Sequence, residues 1–175
     1  MNVPTPPRVP VGIALLTVSD SRTTFAEDAS GTLLAQRIED AGHTLVARRI
    51  IRDEMAAIRH SLEAWIDTPE VDVVLTTGGT GVTGRDVTVD VVERLATKKI
   101  PGFGELFRML SYEEIGTSTI QSRATGVLAA TTLIFALPGS PGACRMGWDR
   151  ILHQQLNIDH RPCNLVQLMP RFDET

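Results

Sequence analysis

Residues 11–18 are nearly all apolar, and the polar run Ser19-Asp20-Ser21-Arg22 follows at once. A short continuous apolar run bounded by polar residues is the pattern of a strand buried on both faces, as in a parallel sheet. Over residues 28–41 the spacing changes: Leu33, Leu34 and Ile38 fall on one helical face, and Gly42 stands where a helix stop belongs. Residues 45–51 predict a second strand. A second helix follows over 53–67, with Met55, Ile58, Leu62, Trp65 and Ile66 apolar, and residues 71–76 predict a third, wholly apolar strand. Further on, 87–97 and 103–112 read as helices, 126–129 as a short strand, 131–137 as a central strand and 143–155 as a final helix. This alternation predicts an α/β fold whose mostly parallel sheet carries helices on both faces. Ligands in such folds gather at the carboxyl ends of the strands, so the loops after Val18, Ile51, Thr76 and Leu137 are the places to look for chemistry.

The chain has 175 residues, enough for one core and too few for two. Its 42% hydrophobic and 22% charged residues exclude disordered, collagen-like and disulfide-scaffold classes. A net charge of -4 has the wrong sign for a protein whose main partner is a nucleic acid. No apolar stretch approaches the ~20 residues of a membrane-spanning helix, so neither nucleic acid nor membrane is expected as a partner. Pro4, Pro6, Pro7 and Pro10 make residues 1–10 an extended N-terminal arm, leaving 11–170 as the domain and 171–175 as a C-terminal tail. Arg8 ahead of an apolar run resembles a signal peptide, but the prolines and Asp20 suit a strand better, and the expected compartment is the cytoplasm. Cys144 and Cys163 lack metal or redox spacing and read as two free thiols.

The segment Thr76-Thr77-Gly78-Gly79-Thr80-Gly81 leaves a buried strand ahead of a helix. Glycines let backbone N–H groups face an anion and threonines add donors, which suits a phosphate; a tight turn that merely needs glycine is an equal reading. Gly79-x-Gly81-x-x-Gly84 matches the dinucleotide fingerprint literally, but no acidic residue ends a following strand about 20 positions on. A Walker loop is absent, and Lys98 and Lys99 are the only lysines. Asp53 and Asp86 follow the second and third strands and would face the same end of the sheet. Phosphoryl and nucleotidyl transfer need Mg2+, usually held by one or two carboxylates. Each aspartate also has a purely structural reading: a helix cap for Asp53, and an ion pair with Arg85 or a helix cap for Asp86. Thr117-Ser118-Thr119-Ile120-Gln121-Ser122-Arg123 suits an oxyanion or is simply a polar loop. Leu137-Pro138-Gly139-Ser140-Pro141-Gly142-Ala143 could point amides at a ligand or form a rigid turn. His43, His60, His153 and His160 show no metal-ligand spacing.

Taken in order, these segments resemble the molybdenum cofactor biosynthesis family that contains the molybdopterin adenylyltransferases, most closely its bacterial branch called molybdenum cofactor biosynthesis protein B. The marks are Leu16-Thr17-Val18-Ser19-Asp20-Ser21-Arg22, Asp53-Glu54, Leu75 to Gly81, Arg85-Asp86-Val87-Thr88 and Gly102-Phe103-Gly104-Glu105. Phe107-Arg108-Met109-Leu110-Ser111, Ser122-Arg123, Leu137-Pro138-Gly139-Ser140 and Arg161-Pro162-Cys163-Asn164 complete the set.

The resemblance implies a three-layer αβα sandwich, with a mostly parallel mixed sheet in which one strand runs antiparallel, and a homotrimer or homohexamer. It implies Mg2+-dependent adenylylation of molybdopterin by ATP, giving adenylyl-molybdopterin and pyrophosphate for other proteins of the pathway. Carried over by position, Asp53 and Asp86 are the catalytic and metal-holding carboxylates, and Thr77, Gly78, Gly79, Thr80 and Gly81 cradle phosphate. Ser19, Asp20, Ser111, Ser122, Arg123 and Ser140 line the remaining pocket. Gly84 and Val89 depart from the adenylyltransferase pattern, and glycine at 84 loosens the loop that aims Asp86. The same branch supports an alternative reading, a non-catalytic protein that holds molybdopterin or its adenylate for a partner.

Overall fold

The computed structural model describes residues 9–174, so the proline-rich arm falls largely outside the described residues; its last two, Val9 and Pro10, are exposed. The described strands are β1 (Gly12–Val18), β2 (Thr44–Ile51), β3 (Val73–Thr77), β4 (Lys98–Lys99), β5 (Thr125–Ala129) and β6 (Thr132–Leu137). They form one sheet in the order β2-β1-β3-β6-β5-β4. β2, β1, β3 and β6 are parallel, while β5 runs antiparallel to both of its neighbours, β6 and β4. The helices are α1 (Ala29–Asp40), α2 (Met55–Ile66), α3 (Thr88–Leu95), α4 (Pro101–Ile115) and α5 (Pro141–Gly147). The last continues through a π-helical turn, Trp148–Leu152, into α6 (His153–Gln155).

The apolar strands are divided by their period of two into two cores. Ile13 and Leu15 of β1, Val73 and Leu75 of β3, and Leu133, Phe135 and Leu137 of β6 face one side. There they meet Leu34 and Ile38 of α1, Phe103, Phe107 and Leu110 of α4, and Trp148, Ile151 and Leu152 of the last helix. Ala14, Leu16, Val18, Val74, Ile134 and Ala136 face the other side, against Ile58, Leu62 and Trp65 of α2 and Val89, Val91 and Val92 of α3. Helix, sheet and helix make three layers, as the resemblance implied. No helix among the described residues is long and apolar enough to cross a membrane.

Boundaries follow local chemistry. Pro101 starts α4 and Pro141 starts α5, each two residues earlier than the apolar spacing suggests, because proline is pre-set for the first helical turn. α4 also runs on to Ile115 before Gly116, at φ 57°, turns the chain into a 3-10 segment, Gly116–Gln121. β4 has no counterpart among the predicted elements: its two lysines are exposed on the sheet edge and carry no apolar signal. The backbone pairs it, with Thr97 and Ile100 amides donating to the Leu128 and Gly126 carbonyls on either side. Phe172 packs on the core beyond a second 3-10 segment, Val166–Arg171.

One buried charge ties the first βαβ unit together. Asp28 has no exposed surface and caps α1, its Oδ1 accepting from the Gly31 amide at 2.9 Å. Its Oδ2 accepts from Thr17 Oγ1 of β1 at 2.7 Å and from Arg48 Nη2 of β2 at 2.9 Å. Arg48 also lies over the Phe25 ring, 4.4 Å from its centroid. A buried ion pair is costly to break from one side, since the remaining charge is left without its partner. Asp28→Ala is therefore expected to lower unfolding stability by about 3 kcal/mol or more, read as a fall in urea midpoint at unchanged slope.

Candidate functional site

The four parallel strands end at one rim, and there the chain opens a cleft of about 760 Å³. Val18 to Arg22 enter it from the end of β1, Asp53 from β2, Gly78 to Gly81 from β3, and Pro138 to Pro141 from β6. Phe107, Ser111 and Ile115 of α4, with Ser118, Gln121 and Ser122 from the turn after it, close the remaining side. This is the rim where a doubly wound sheet places its ligands.

Glycines hold the loops together. Gly78 has φ 101° and Gly79 φ 63°, conformations that side chains rarely adopt. A Cβ on Gly78 would run into the Val18 carbonyl, and one on Gly139 would lie 3.3 Å from the Gly78 Cα. The Gly78 amide donates to the Leu137 carbonyl at 3.0 Å, so this residue spends its donor on bracing the turn. Beyond it, Asp53 Oδ1 lies 2.8 Å from where a Gly79 Cβ would stand, and Asp86 Oδ2 lies 2.8 Å from where a Gly81 Cβ would stand. Both carboxylates thus press against the glycine loop in space that only glycine leaves open.

Neither aspartate is a helix cap. Glu54 holds the cap position of α2 and Val87 that of α3, both without side-chain cap bonds. Asp86 accepts from the Thr83 amide at 2.8 Å and from Thr83 Oγ1 at 2.6 Å. Arg85 pairs with Asp20 instead: Nε donates to Oδ2 at 2.9 Å and Nη2 to Oδ1 at 2.8 Å. The Asp53 amide also donates to Asp20 Oδ1, at 3.3 Å.

The carboxyls differ in environment. Burial pushes Asp53 above its ordinary range, the negative charges of Asp20 and Asp86 push it further, and Arg85 only partly opposes them. Burial acts on Asp86 in the same direction, but hydrogen bonds from the Thr83 hydroxyl and amide, with help from Gly81 and Arg123, outweigh it and hold Asp86 low. Asp20 is also held low, chiefly by its hydrogen bonds from Arg85. The donor set of the cleft is hard oxygen, with like charges crowded at Asp53. That chemistry fits Mg2+, which takes one or two carboxylates and completes its shell from phosphate and water. No group of three or more His, Cys, Asp or Glu placed to hold a metal occurs among the described residues.

Eleven of the thirteen expected site residues line the cleft: Asp53, Asp86, Gly78, Gly79, Thr80, Gly81, Ser19, Asp20, Ser111, Ser122 and Ser140. Two are turned elsewhere. Thr77 is buried on the α1 side, its hydroxyl donating to the Pro138 carbonyl at 3.0 Å and lying 3.2 Å from Cys144 Sγ. Burial raises the Cys144 thiol to about 11, whereas Cys163 is exposed. Arg123 braces the loop from behind. Its Nε donates to the Gly81 carbonyl at 2.7 Å, Nη2 donates to the Asp86 carbonyl, and the guanidinium pairs with Asp90 at 3.1 Å.

Sequence reasoning did not single out Phe107 and Ile115 as cleft residues. The four-residue spacing of Phe107, Ser111 and Ile115, one helical face carrying a serine, was the available signal. Arg22 also went unassigned; it lines the cleft and donates through Nη1 to the Gly139 carbonyl at 3.2 Å.

The strained charge on Asp53 has a measurable cost. Folded Asp53 keeps its proton to higher pH than the unfolded chain does, so stability falls as pH rises through the folded pKa. Asp53→Asn removes that loss. The variant is expected to be more stable than the parent at pH 7, by about 0.5 kcal/mol at most because solvent screens this partly exposed site, and the gain should shrink as pH falls toward the ordinary value of 3.8. Thermal melts of both proteins across pH check this.

Comparison with known proteins agrees with this geometry. A family model described as a probable molybdopterin binding domain matches residues 14–158. The molybdenum cofactor biosynthesis protein B of Escherichia coli K12 is 48% identical over 156 residues, covering 89% of this chain and 91% of that protein. The protein of the same name from Bacillus anthracis is 44% identical over 143 residues, covering 81% and 84%. A crystal structure of a molybdenum cofactor biosynthesis protein B superposes with a TM-score of 0.85 at 38% identity, covering 95% of this chain and 98% of that one. Sheet order, helix layers and most of the sequence therefore point the same way, and the chain belongs to the molybdenum cofactor biosynthesis protein B family.

Proposed function

We propose that this protein acts in molybdenum cofactor biosynthesis, and that its cleft transfers the adenylyl group of ATP to molybdopterin with Mg2+ as cofactor. The observation that carries the reading is the pair Asp53 and Asp86, seated against one glycine loop at the rim of four parallel strands. In the step proposed, an oxygen of the molybdopterin terminal phosphate forms a bond to the α-phosphorus of ATP. The bond from that phosphorus to the β-phosphate's bridging oxygen breaks, and pyrophosphate leaves, giving adenylyl-molybdopterin. The substrate pair suits the cytoplasm.

The chain's own groups have distinct tasks in this reading. Gly81 gives its amide to Asp86, so the Gly79 and Thr80 amides are the donors that the loop offers a phosphate, offsetting its charge without reorganising. Asp86, held ionised by Thr83, and Asp53, crowded by like charge, are the residues that hold Mg2+. Bound there, Mg2+ supplies Lewis-acid polarisation and charge neutralisation at the reacting phosphates. Arg123 keeps the Gly81 and Asp86 carbonyls in place, which aims both the loop and the carboxylate. Ser111, Ser118 and Ser122 add hydroxyls on the α4 side, and Phe107 and Ile115 give that wall an apolar surface.

The test is pyrophosphate release from Mg-ATP with and without molybdopterin. Release is expected only when molybdopterin is present, falling by on the order of 100-fold or more in Asp53→Ala and Asp86→Asn. Parental rates in both variants would remove the carboxylates from the mechanism. Tight molybdopterin binding with no pyrophosphate release would replace the enzyme by the non-catalytic carrier.

A further inference from the structure

The Asp20–Arg85 pair spans the cleft from the loop after β1 to the loop after β3, and the adenylyl-transfer scheme gives it no task. Its geometry is strong, a two-pronged guanidinium–carboxylate contact at 2.8 and 2.9 Å. Its setting is weak, since the side chains remain 61% and 45% exposed. Solvent-exposed pairs of this kind contribute little to stability. Arg85 is therefore held in one place at small cost to whatever displaces its partner.

What would displace it is set by charge. Asp20 offers Arg85 a single negative charge, whereas a polyphosphate offers several, and pairs of its oxygens can accept the same two parallel N–H bonds. Arg85 follows Gly84, where an added Cβ would have nothing within 4 Å, so the chain beside it has room to move. Asp20 gains a second use when released. It already accepts from the Asp53 amide and its charge is felt at Asp53, so without Arg85 it adds an unpaired carboxylate beside Asp53.

We propose that Arg85 is a positioning residue for polyphosphate, held on Asp20 until phosphates arrive and then exchanged onto them. The exchange turns a neutralised pair into two charged groups, a cation on the phosphates and a third carboxylate near the two that face the glycine loop. Anion and divalent cation then favour one another's binding, and by linkage the benefit is reciprocal. This inference rests on the polyphosphate reading of the cleft and deepens it.

A double-mutant cycle tests it, with inorganic pyrophosphate as the probe and calorimetry as the readout, with and without Mg2+. Arg85→Gln is expected to weaken pyrophosphate binding about 10-fold or more. Asp20→Asn keeps an oxygen for the Asp53 amide but releases Arg85, and should tighten binding about 2- to 5-fold. In the double variant most of that gain should be lost, because no arginine remains to be released. Simple additivity would overturn the exchange, leaving Asp20 as a general negative charge, and so would unchanged affinity in Arg85→Gln. Either outcome, with the parent still binding pyrophosphate, leaves the adenylyl-transfer reading standing. A parent that binds no pyrophosphate overturns both.

Discussion

Gly78 stands where the chain has no room for a side chain. Its backbone lies against the Val18 carbonyl at the end of β1, its amide is bonded to the Leu137 carbonyl at the end of β6, and Gly139 packs on its Cα. Three loops from adjacent strands therefore meet at one residue, in a left-handed conformation that glycine takes at little steric cost. With that junction closed, the loop continues at Gly79 and Gly81 into the gap between two carboxylates supplied by different strand ends. A bulkier residue at 78 would separate the strand ends, and Asp53 and Asp86 would no longer share a wall. The site depends first on a steric constraint and only then on its charges.

Where the sheet is buried on both faces, the sequence spoke plainly. β1, β3 and β6 are apolar runs with no polar interruption long enough to mislead, and the polar residues after them mark the rim. Which residue faces which core could not be read from hydrophobicity, because residues facing either core look alike; only packing separates Ile13 and Leu15 from Ala14 and Leu16. β4 escaped notice for the opposite reason, its pairing being made by backbone groups beneath two exposed lysines. Asp53 and Asp86 were legible because they follow strand ends. Thr77 and Arg123 stand in the segments singled out but do not line the cleft. Thr77 is still within β3, where the alternation of the strand sends it inward, and Arg123 finds carbonyls and Asp90 behind the loop before it can reach the cleft.

The carboxyls around the cleft show how neighbours divide the work of similar groups. Asp86 is satisfied locally by Thr83 and Asp20 by Arg85, so both are stabilised as anions. Asp53 has burial and two anionic neighbours against it, and its charge is the one that a dication would relieve most. Such division marks functional sites more often than structural ones, where charges are usually neutralised within the fold, as Asp28 is by Arg48.

The two thiols of the chain have unequal chemical fates. Cys144 lies sealed beneath the loop after β6, bonded to Thr77 and the Pro138 carbonyl, and at ordinary pH it carries almost no thiolate, the form that reacts with oxidants and disulfides. Cys163 is exposed. In an oxidising medium the folded protein therefore presents one usable sulfur per molecule, so disulfide chemistry can join two copies but cannot extend them into a covalent polymer.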